Sequence, residues 1–465
     1  MIRTFCKVLL GGEGFKLQTL LSKELKKQHI RHTKGGFSLI KRVLDYCLDS
    51  KMEGQAGKIS SNEFKALLTA EIMTLSSAFI DQGYELRIVG GAVRDLLCGL
   101  APKDIDLSTN ATPSEMMDVF KKNKIRYIET GLQHGTLTAH INKKDFEVTT
   151  LRIDVETDGR HAKVQYTNDW RVDAERRDLT INAMSLELNG TLYDYFNGKE
   201  DLKERCVRFV GEPRSRIQED YLRILRYFRF YGRIAGSPDK HEGKTLDTIR
   251  ITAEGLKMIA VERVWVEVAK ILTGNHAPSL LQHIYSLGVA DCIGLPKCTE
   301  ANMTEFARAW NESQTHKLQP VSLLCSLVDT AYEAELLARK LKLSNAERNL
   351  GKFVTEHREP KAHEHSLKPY QDMLVSSPSV QSKETLRGHI RELLHYQGRH
   401  QLGKEISTWF IPQFPLTGDH LKKHGLKPGP EFGRMLSQLK QIWRDGYYVA
   451  NEQDLLDRIK HIVKN

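Results

Sequence analysis

Long apolar runs are missing from this sequence. No stretch of the 465 residues approaches the roughly 18 apolar residues that a membrane-spanning helix needs, so a membrane protein of the helical kind is excluded. Paired cysteines are missing too. The seven cysteines are odd in number, scattered and without Cys-x-x-Cys spacing, which argues against a disulfide framework or structural zinc and for a reducing compartment. His363-Glu364-His365 and the other histidines lack partners at metal-ligand spacing, so core or surface roles are expected for them. Internal repeats and low-complexity runs are absent. A uniformly basic body is absent as well: the net charge is +10, but residues 1–51 carry +7 of it, so any RNA surface must be a local patch. What remains, 40% hydrophobic and 28% charged over a length too great for one ordinary core, is a globular chain of two to four domains.

The chemistry concentrates in Leu86 to Leu107, LRIVGGAVRDLLCGLAPKDIDL. Leu86 to Val89 has the content of a short buried strand, and Gly90-Gly91 allows a tight turn where backbone N–H groups approach a ligand closely. A helix starting at Ala92, directly after that turn, makes a ready anion site, with Arg94 as a mobile cation in its first turn. In Asp104-Ile105-Asp106-Leu107 acidic and apolar residues alternate, so as a strand it would point both carboxylates to one face. Carboxylates that close repel each other unless a cation lies between them. Hard divalent ions such as Mg2+ take oxygen ligands and share them with substrate phosphates. A triphosphate cradle beside this dyad therefore points to metal-assisted phosphoryl or nucleotidyl transfer, with Asp104 and Asp106 as catalytic metal ligands. A Gly-Gly turn or an Asp-x-Asp alone is commonplace; the signal is their occurrence together within seventeen residues, Gly90 to Asp106.

That combination resembles the signature of the polymerase-β-like nucleotidyltransferases, and GGAVRDLL followed by KDIDLSTNATP resembles the CCA-adding tRNA nucleotidyltransferase branch, class II and of the eukaryotic mitochondrial or nuclear-cytosolic type. The resemblance is dense from about Glu85 to Leu272 and thin afterwards. It implies an α+β fold: a nucleotidyltransferase head with a small mixed β-sheet (about 60–195), then an all-helical neck (196–272), body and tail (273–465). It implies template-independent addition of CCA to tRNA 3′ ends from CTP and ATP, with Mg2+ as cofactor and tRNA as partner. Gly91 and Arg94 would then contact nucleotide. A poly(A) polymerase of the same superfamily, which shares the head, and a catalytically silent RNA-binding protein are the rival readings, the latter disfavoured by the intact Asp104 and Asp106. No side-chain general base is evident, and the sequence leaves the oligomeric state open.

Along the rest of the chain, residues 1–51 read as a leader with a basic amphipathic helix, similar to a mitochondrial transit peptide, or alternatively as a disordered tail or RNA-binding arm. Initiation at Met52 would give a form without it, nuclear or cytoplasmic. The spacing of Phe64, Leu67, Leu68, Ile72, Leu75 and Phe79 predicts one amphipathic helix from Ser61 to about Gly83. Thr112-Pro113-Ser114-Glu115 starts a helix running to about Lys122. Gly135 to Ile141 and Phe146 to Leu151 read as a hairpin, in which Glu147 is either a third metal ligand facing the dyad or an ordinary exposed strand residue. Asp154 to Trp170 is polar and aperiodic and reads as a loop able to close over substrate.

Two further segments carry arginines. DAERRDLTINAM, Asp173 to Met184, places Arg176 and Arg177 ahead of a helical-looking stretch; guanidiniums suit triphosphate oxygens, and the resemblance assigns the nucleotide contact to Arg177. LYDYFNGKEDL, from Leu192, reads as a strand, a Gly turn and a helix start. In EDYLRILRYFRF, Glu219 to Phe230, Asp220 and Arg223 would be neighbours on one helix. A surface ion pair is the plain interpretation. Alternatively, a carboxylate beside a guanidinium matches the exocyclic amino group and adjacent ring nitrogen that cytosine and adenine share, and uracil and guanine reverse. The resemblance assigns this template role to Asp220 and Arg223, with Arg226 and Arg229 as nearby nucleotide contacts, while Tyr227, Phe228, Phe230 and Tyr231 pack the helix. Ala260 to Leu272 reads as a structural amphipathic helix. Thr417 to Gly433, with Lys422, Lys423 and Lys427, is either helix punctuation or a docking surface for the tRNA body.

Overall fold

The computed structural model describes residues 54–157, 162–359, 366–423, 425 and 429–462. The leader, the His363-Glu364-His365 motif and Lys427 lie outside them. The chain separates into two compact units: one runs through Arg263 and takes in Ile284–Cys292, and the other comprises Val264–His283 and the chain from Ile293 onward.

The first unit is built on a mixed sheet, larger than expected, of eight strands. Its members are β1 (Gln55–Lys58), β2 (Leu86–Val89), β3 (Asp106–Thr109), β4 (Arg126–Gly131), β5 (Thr136–Ile141) and β6 (Lys144–Thr150), joined by two later strands described below. A separate hairpin, β7 (Arg152–Thr157) with β8 (Ala162–Tyr166), follows β6, and β9 (Ser185–Glu187) and β10 (Thr191–Tyr193) complete the sheet. The order is β1-β10-β9-β2-β3-β6-β5-β4, antiparallel throughout except for the β3/β6 pair. The β5–β6 connection is the expected hairpin, its turn formed by Asn142 and Lys143 at positive φ, as a right-twisted two-residue turn requires.

Helices cover the sheet: α1 (Asn62–Leu67), α2 (Ala70–Ile80), α3 (Gly91–Leu97) and α4 (Pro113–Lys122). Ile72, Leu75 and Phe79 of α2, Val93 and Leu96 of α3, and Met116, Val119 and Phe120 of α4 pack with Ile88, Leu107 and Val148 of the strands. Burying each such side chain contributes about 1.5–3 kcal/mol. At the start of α4, Thr112 and Glu115 form a reciprocal capping box, which fixes where the chain turns after β3.

Three expectations are corrected. The single helix from Ser61 is two: Ser61 caps α1, but the chain leaves helical geometry at Leu68 and restarts from an extended Thr69. The apolar spacing survives the break because both helices bury the same face. The supposed loop from Asp154 contains the β7–β8 hairpin, whose pairing is carried by backbone hydrogen bonds and whose outer residues Ile153 and Tyr166 are exposed, so no apolar alternation marks it. The segment from Glu219 is not one helix, as described below.

After α5 (Trp170–Glu175) and the strands β9 and β10 comes α6 (Gly198–Lys203), entered through Asn197 at φ 61°. Asp194 accepts the N–H groups of Gly198 and Lys199, as expected for a strand, turn and helix start. A Cβ on Gly198 would lie 2.2 Å from the Thr180 carbonyl oxygen, so glycine lets this turn pack directly on the arginine-bearing segment. The second unit is helical among its described residues. It has one apolar cluster around Leu374, Ile390, Leu394 and Ile406, and another around Leu421, Leu439, Trp443 and Leu455.

Candidate active site

The glycine turn has the expected form. Gly90 sits at φ 67°, closed to most side chains, and a Cβ there would lie 3.2 Å from Nη1 of Arg177. Arg94 departs from expectation: it is 4% exposed and held, not mobile. Its Nη1 donates to Asn182 Oδ1 at 2.6 Å, and its Nε and Nη2 donate to Asp95 Oδ1 at 3.0 and 2.8 Å. Asp95 also accepts Nη2 of Arg233 on both oxygens, at 2.9 and 3.0 Å.

Strand β3 begins at Asp106, so Asp104 lies in a bend just before it and only the second carboxylate is a strand residue. The alternation still holds, with Leu107 buried and Ile105 packed against the core behind two exposed acids. The environment of the Asp106 carboxyl is partly desolvated, which pushes its pKa above the usual carboxylate range; Arg177 opposes the shift and Asp104 adds to it. In the parallel β3–β6 register Glu147 is the direct partner of Asp106, so the two exposed acids occupy neighbouring positions on one sheet face. The donors gathered here are carboxylate oxygens, the set that a hard divalent ion takes and a soft one does not.

The arginines divide their roles. Helix α5 ends at Glu175 with Arg176 as its C-cap, and the segment beyond it forms only a short 3-10 turn, Thr180–Asn182, instead of the helical stretch expected. Both Arg176 and Arg177 pair with the buried Asp173, but Arg177 also lies against the Gly90 turn and its charge acts on Asp106. Burial alone would raise Asp173; Arg177, Arg176 and the Arg152 N–H outweigh it and hold the carboxyl low. Asp178 repeats the pattern. Burial raises it, while Arg226 at 2.7 Å, with the Leu179 N–H and Arg223, brings it below the usual range. Its other oxygen accepts from Asn182 Nδ2 at 3.3 Å, which closes a chain of contacts from Arg94 to Arg226. Asp95, Asp178, Asn182 and Arg233 were given no role from the sequence. Their types were visible, but the contacts that join them across the unit, Arg94 to Asn182, Asp178 to Arg226 and Asp95 to Arg233, link residues distant in the chain.

Helix α7 (Pro213–Glu219) stops at Asp220, whose extended backbone (φ −153°, ψ 105°) separates it from α8 (Arg223–Ile234). The break has a local cause: Asp220 Oδ1 accepts the Leu222 N–H at 3.1 Å, the cap-like bond by which Asp competes with helix. Asp220 and Arg223 therefore do not form the ion pair of a continuous helix. Asp220 Oδ2 accepts Arg263 Nη2 at 2.9 Å, and Arg223 donates to Glu219 at 2.6 Å and to the carbonyls of Arg216 and Arg176. Arg226 and Arg229 lie over the ring of Phe230, 5.7 and 4.3 Å from its centroid. Tyr227, Phe228, Phe230 and Tyr231 are buried, as expected of packing residues.

The depressed Asp178 pKa has a testable consequence. A carboxyl lowered by folding contributes stability above its unfolded pKa, about 3.9, and loses it as pH falls through the lower folded value. Asp178→Asn should lower the thermal midpoint of the first unit at pH 7, by the equivalent of about 2 kcal/mol, and flatten its decline below pH 4. Superimposable pH–stability curves for the natural and substituted proteins would contradict this role.

Comparison with known proteins agrees with this arrangement. Residues 86–208 match the profile of the poly A polymerase head domain, and residues 241–296 that of a probable RNA- and SrmB-binding site of polymerase A. The chain is 48% identical over 408 residues to "CCA tRNA nucleotidyltransferase 1, mitochondrial" of Mus musculus, covering 87% of this chain and 93% of that one, and equally to the human protein of that name. A crystal structure of the Bacillus stearothermophilus CCA-adding enzyme in complex with CTP superposes with a TM-score of 0.67 at 25% identity, covering 87% of this chain and all of the other. With identity of this level over most of its length, the chain belongs to the CCA tRNA nucleotidyltransferase family.

Proposed function

We infer that this protein adds CCA to tRNA 3′ ends from CTP and ATP, without a nucleic-acid template, by metal-assisted nucleotidyl transfer. The observation that carries the reading is that the Gly90-Gly91 turn, Arg177 and the Asp104/Asp106 acids come together at one end of the central strands β2 and β3 in a chain 48% identical to relatives named for this reaction. Solved structures of similar fold include CCA-adding enzymes in complex with CTP and with ATP, and a tRNA nucleotidyltransferase with primer tRNA and an incoming ATP analogue. A poly(A) polymerase shares the head profile but not these relatives, and is not favoured.

The tRNA 3′-hydroxyl attacks the α-phosphorus in line with the departing pyrophosphate. The family uses divalent metal; bound ions, Mg2+ in our reading, would be held by Asp104 and Asp106, with Glu147 as the candidate third ligand, and would activate the hydroxyl and steady the leaving group. Gly91 presents backbone to the triphosphate. Arg177 supplies a guanidinium fork, and Arg94 ties the helix after the turn to Asn182. Asp220 and Arg223 read the base edge, with Arg226 and Arg229 nearby; the contacts to Arg263 and Glu219 orient them while leaving acceptor and donor capacity for a base. The head of about 60–195 performs the chemistry and the neck of 196–272 selects the nucleotide. In the tail, the exposed Lys422 and Lys423 offer a place for the tRNA body. The mouse and human relatives are named mitochondrial, which supports the same destination here, and a form begun at Met52 would remain in the nucleus and cytoplasm.

Purified protein given tRNA lacking its CCA should incorporate C, C and then A, and nothing from UTP or GTP. Runs of A, or no incorporation, would rule the reading out. In the same assay Asp104→Asn and Asp106→Asn should each abolish both C and A addition while tRNA binding persists, because one dyad serves every step and RNA affinity comes from phosphate contacts elsewhere. Loss of C addition alone would show that the two steps use different sites.

Asp220→Ala should weaken CTP and ATP use together and relax rejection of UTP, since it removes the acceptor for the exocyclic amino group. A bidentate base contact carries about 1–3 kcal/mol, roughly five- to more than a hundredfold in relative incorporation efficiency. Unchanged ratios among the four nucleotides in a folded Asp220→Ala protein would place selectivity elsewhere.

Residues 1–51, fused to a fluorescent reporter, should carry it into mitochondria, while the chain from Met52 should stay outside and keep full activity. A folded Met52 form that had lost most of its activity on tRNA would instead make the leader an RNA-binding arm.

A further inference from the structure

The second unit gathers three imidazoles, two of them five residues apart and the third about eighty residues earlier. His316 ends the helix Glu300–Thr315, His395 lies in the last turn of the helix Val380–Tyr396, and His400 opens the helix His400–Thr408. One nitrogen from each ring lies within 4.8 Å of the other two. This corrects the expectation that the histidines lack partners: His395 and His400 are near in the chain, but the third ring, His316, is brought in only by folding.

The details favour ligation. Nε2 of His400 lies 3.0 Å from Glu312 Oε2, so the carboxylate takes the Nε2–H and leaves the Nδ1 lone pair facing the cluster. Nδ1 of His400 is 3.3 Å from Nδ1 of His395. Nitrogens bound at 2.0–2.1 Å to a tetrahedral zinc ion stand about 3.3 Å apart, so these two are already at ligand separation. Nδ1 of His316 is buried and has no hydrogen-bond partner. Its ring lies 4.4 Å from that of His395 and 4.5 Å from that of His400, near parallel to both, so it must rotate about its side-chain torsions to aim that lone pair.

We propose that His316, His395 and His400 bind a borderline divalent transition metal of the zinc class, with Glu312 orienting His400 from outside the coordination sphere. Three imidazoles select zinc, copper, nickel or cobalt over the hard ions that carboxylates prefer. The bound metal joins three helices of the second unit and leaves one coordination position open to water.

The test uses the full chain, stripped with a chelator, desalted and titrated with Zn2+ in excess Mg2+. The natural protein should retain one zinc per chain that Mg2+ does not displace, and so should Asp104→Asn/Asp106→Asn, whose own metal site is removed. His395→Gln and His400→Gln should bind at least tenfold more weakly. If these fail to fold by circular dichroism, Glu312→Gln, which keeps all three nitrogens, should weaken zinc 10- to 100-fold. Cobalt bound in place of zinc should show the visible absorption of a tetrahedral site, lost in the same variants. Three results would overturn the proposal: no zinc on the folded natural protein, zinc that Mg2+ displaces, or equal zinc in a folded histidine or Glu312 variant. Any of them would make the cluster a packing stack. Failure of CCA addition would not affect it, because the two sites share no residue.

Discussion

A guanidinium that is 4% exposed cannot be left unpaired, and the first unit is arranged around meeting that demand for Arg94. Asp95 supplies charge and Asn182 an acceptor, which brings the 3-10 turn after the arginine pair against helix α3. Asp95 then takes Arg233, and Asn182 passes the chain to Asp178 and Arg226. Both routes end on α8, so one buried charge couples the glycine turn to the helix that begins at Arg223. Loss of any member leaves another polar group without its partner in a desolvated place, which is why such networks fail as units.

The carboxylates of this region are separated by their partners and not by their chemistry. Asp173 and Asp178 are deeper than Asp106, yet each lies beside guanidiniums that more than offset burial, and both are held ionised. Asp106 has the weaker compensation, one arginine shared with Asp173 and a like charge in Asp104, and its pKa rises. A raised carboxylate beside a second acid is the arrangement that an external cation relieves most. The deeper pair is neutralised from within and serves to hold arginines in place.

The break at Asp220 shows a residue trading helix continuity for position. In an unbroken helix its carboxylate would face Arg223 and the two would neutralise each other. Its own cap bond to Leu222 and the contact with Arg263 turn it away, while Glu219 and two carbonyls hold Arg223. Two groups kept apart in this way remain able to meet a third, such as a base edge.

Local patterns decided much by themselves. The strand before Gly90, the positive φ of that glycine, the capping box at Thr112, the two-residue turn at Asn142 and the apolar faces of α2 and α4 each follow from residues within a few positions of one another, and are legible for that reason. The acids of the dyad and the Arg176-Arg177 pair were likewise legible as types. Tertiary structure alone decided which arginine's charge acts on Asp106, that Arg94 is buried, that Glu147 stands beside Asp106 across the parallel β3–β6 pair, and that three histidines meet. It also decided the β7–β8 hairpin, whose strands pair through backbone groups common to every residue. Side-chain type and short spacing are properties of the chain, whereas burial and charge pairing depend on what folding brings from elsewhere, and these set the pKa of Asp106 and the partners of Asp220.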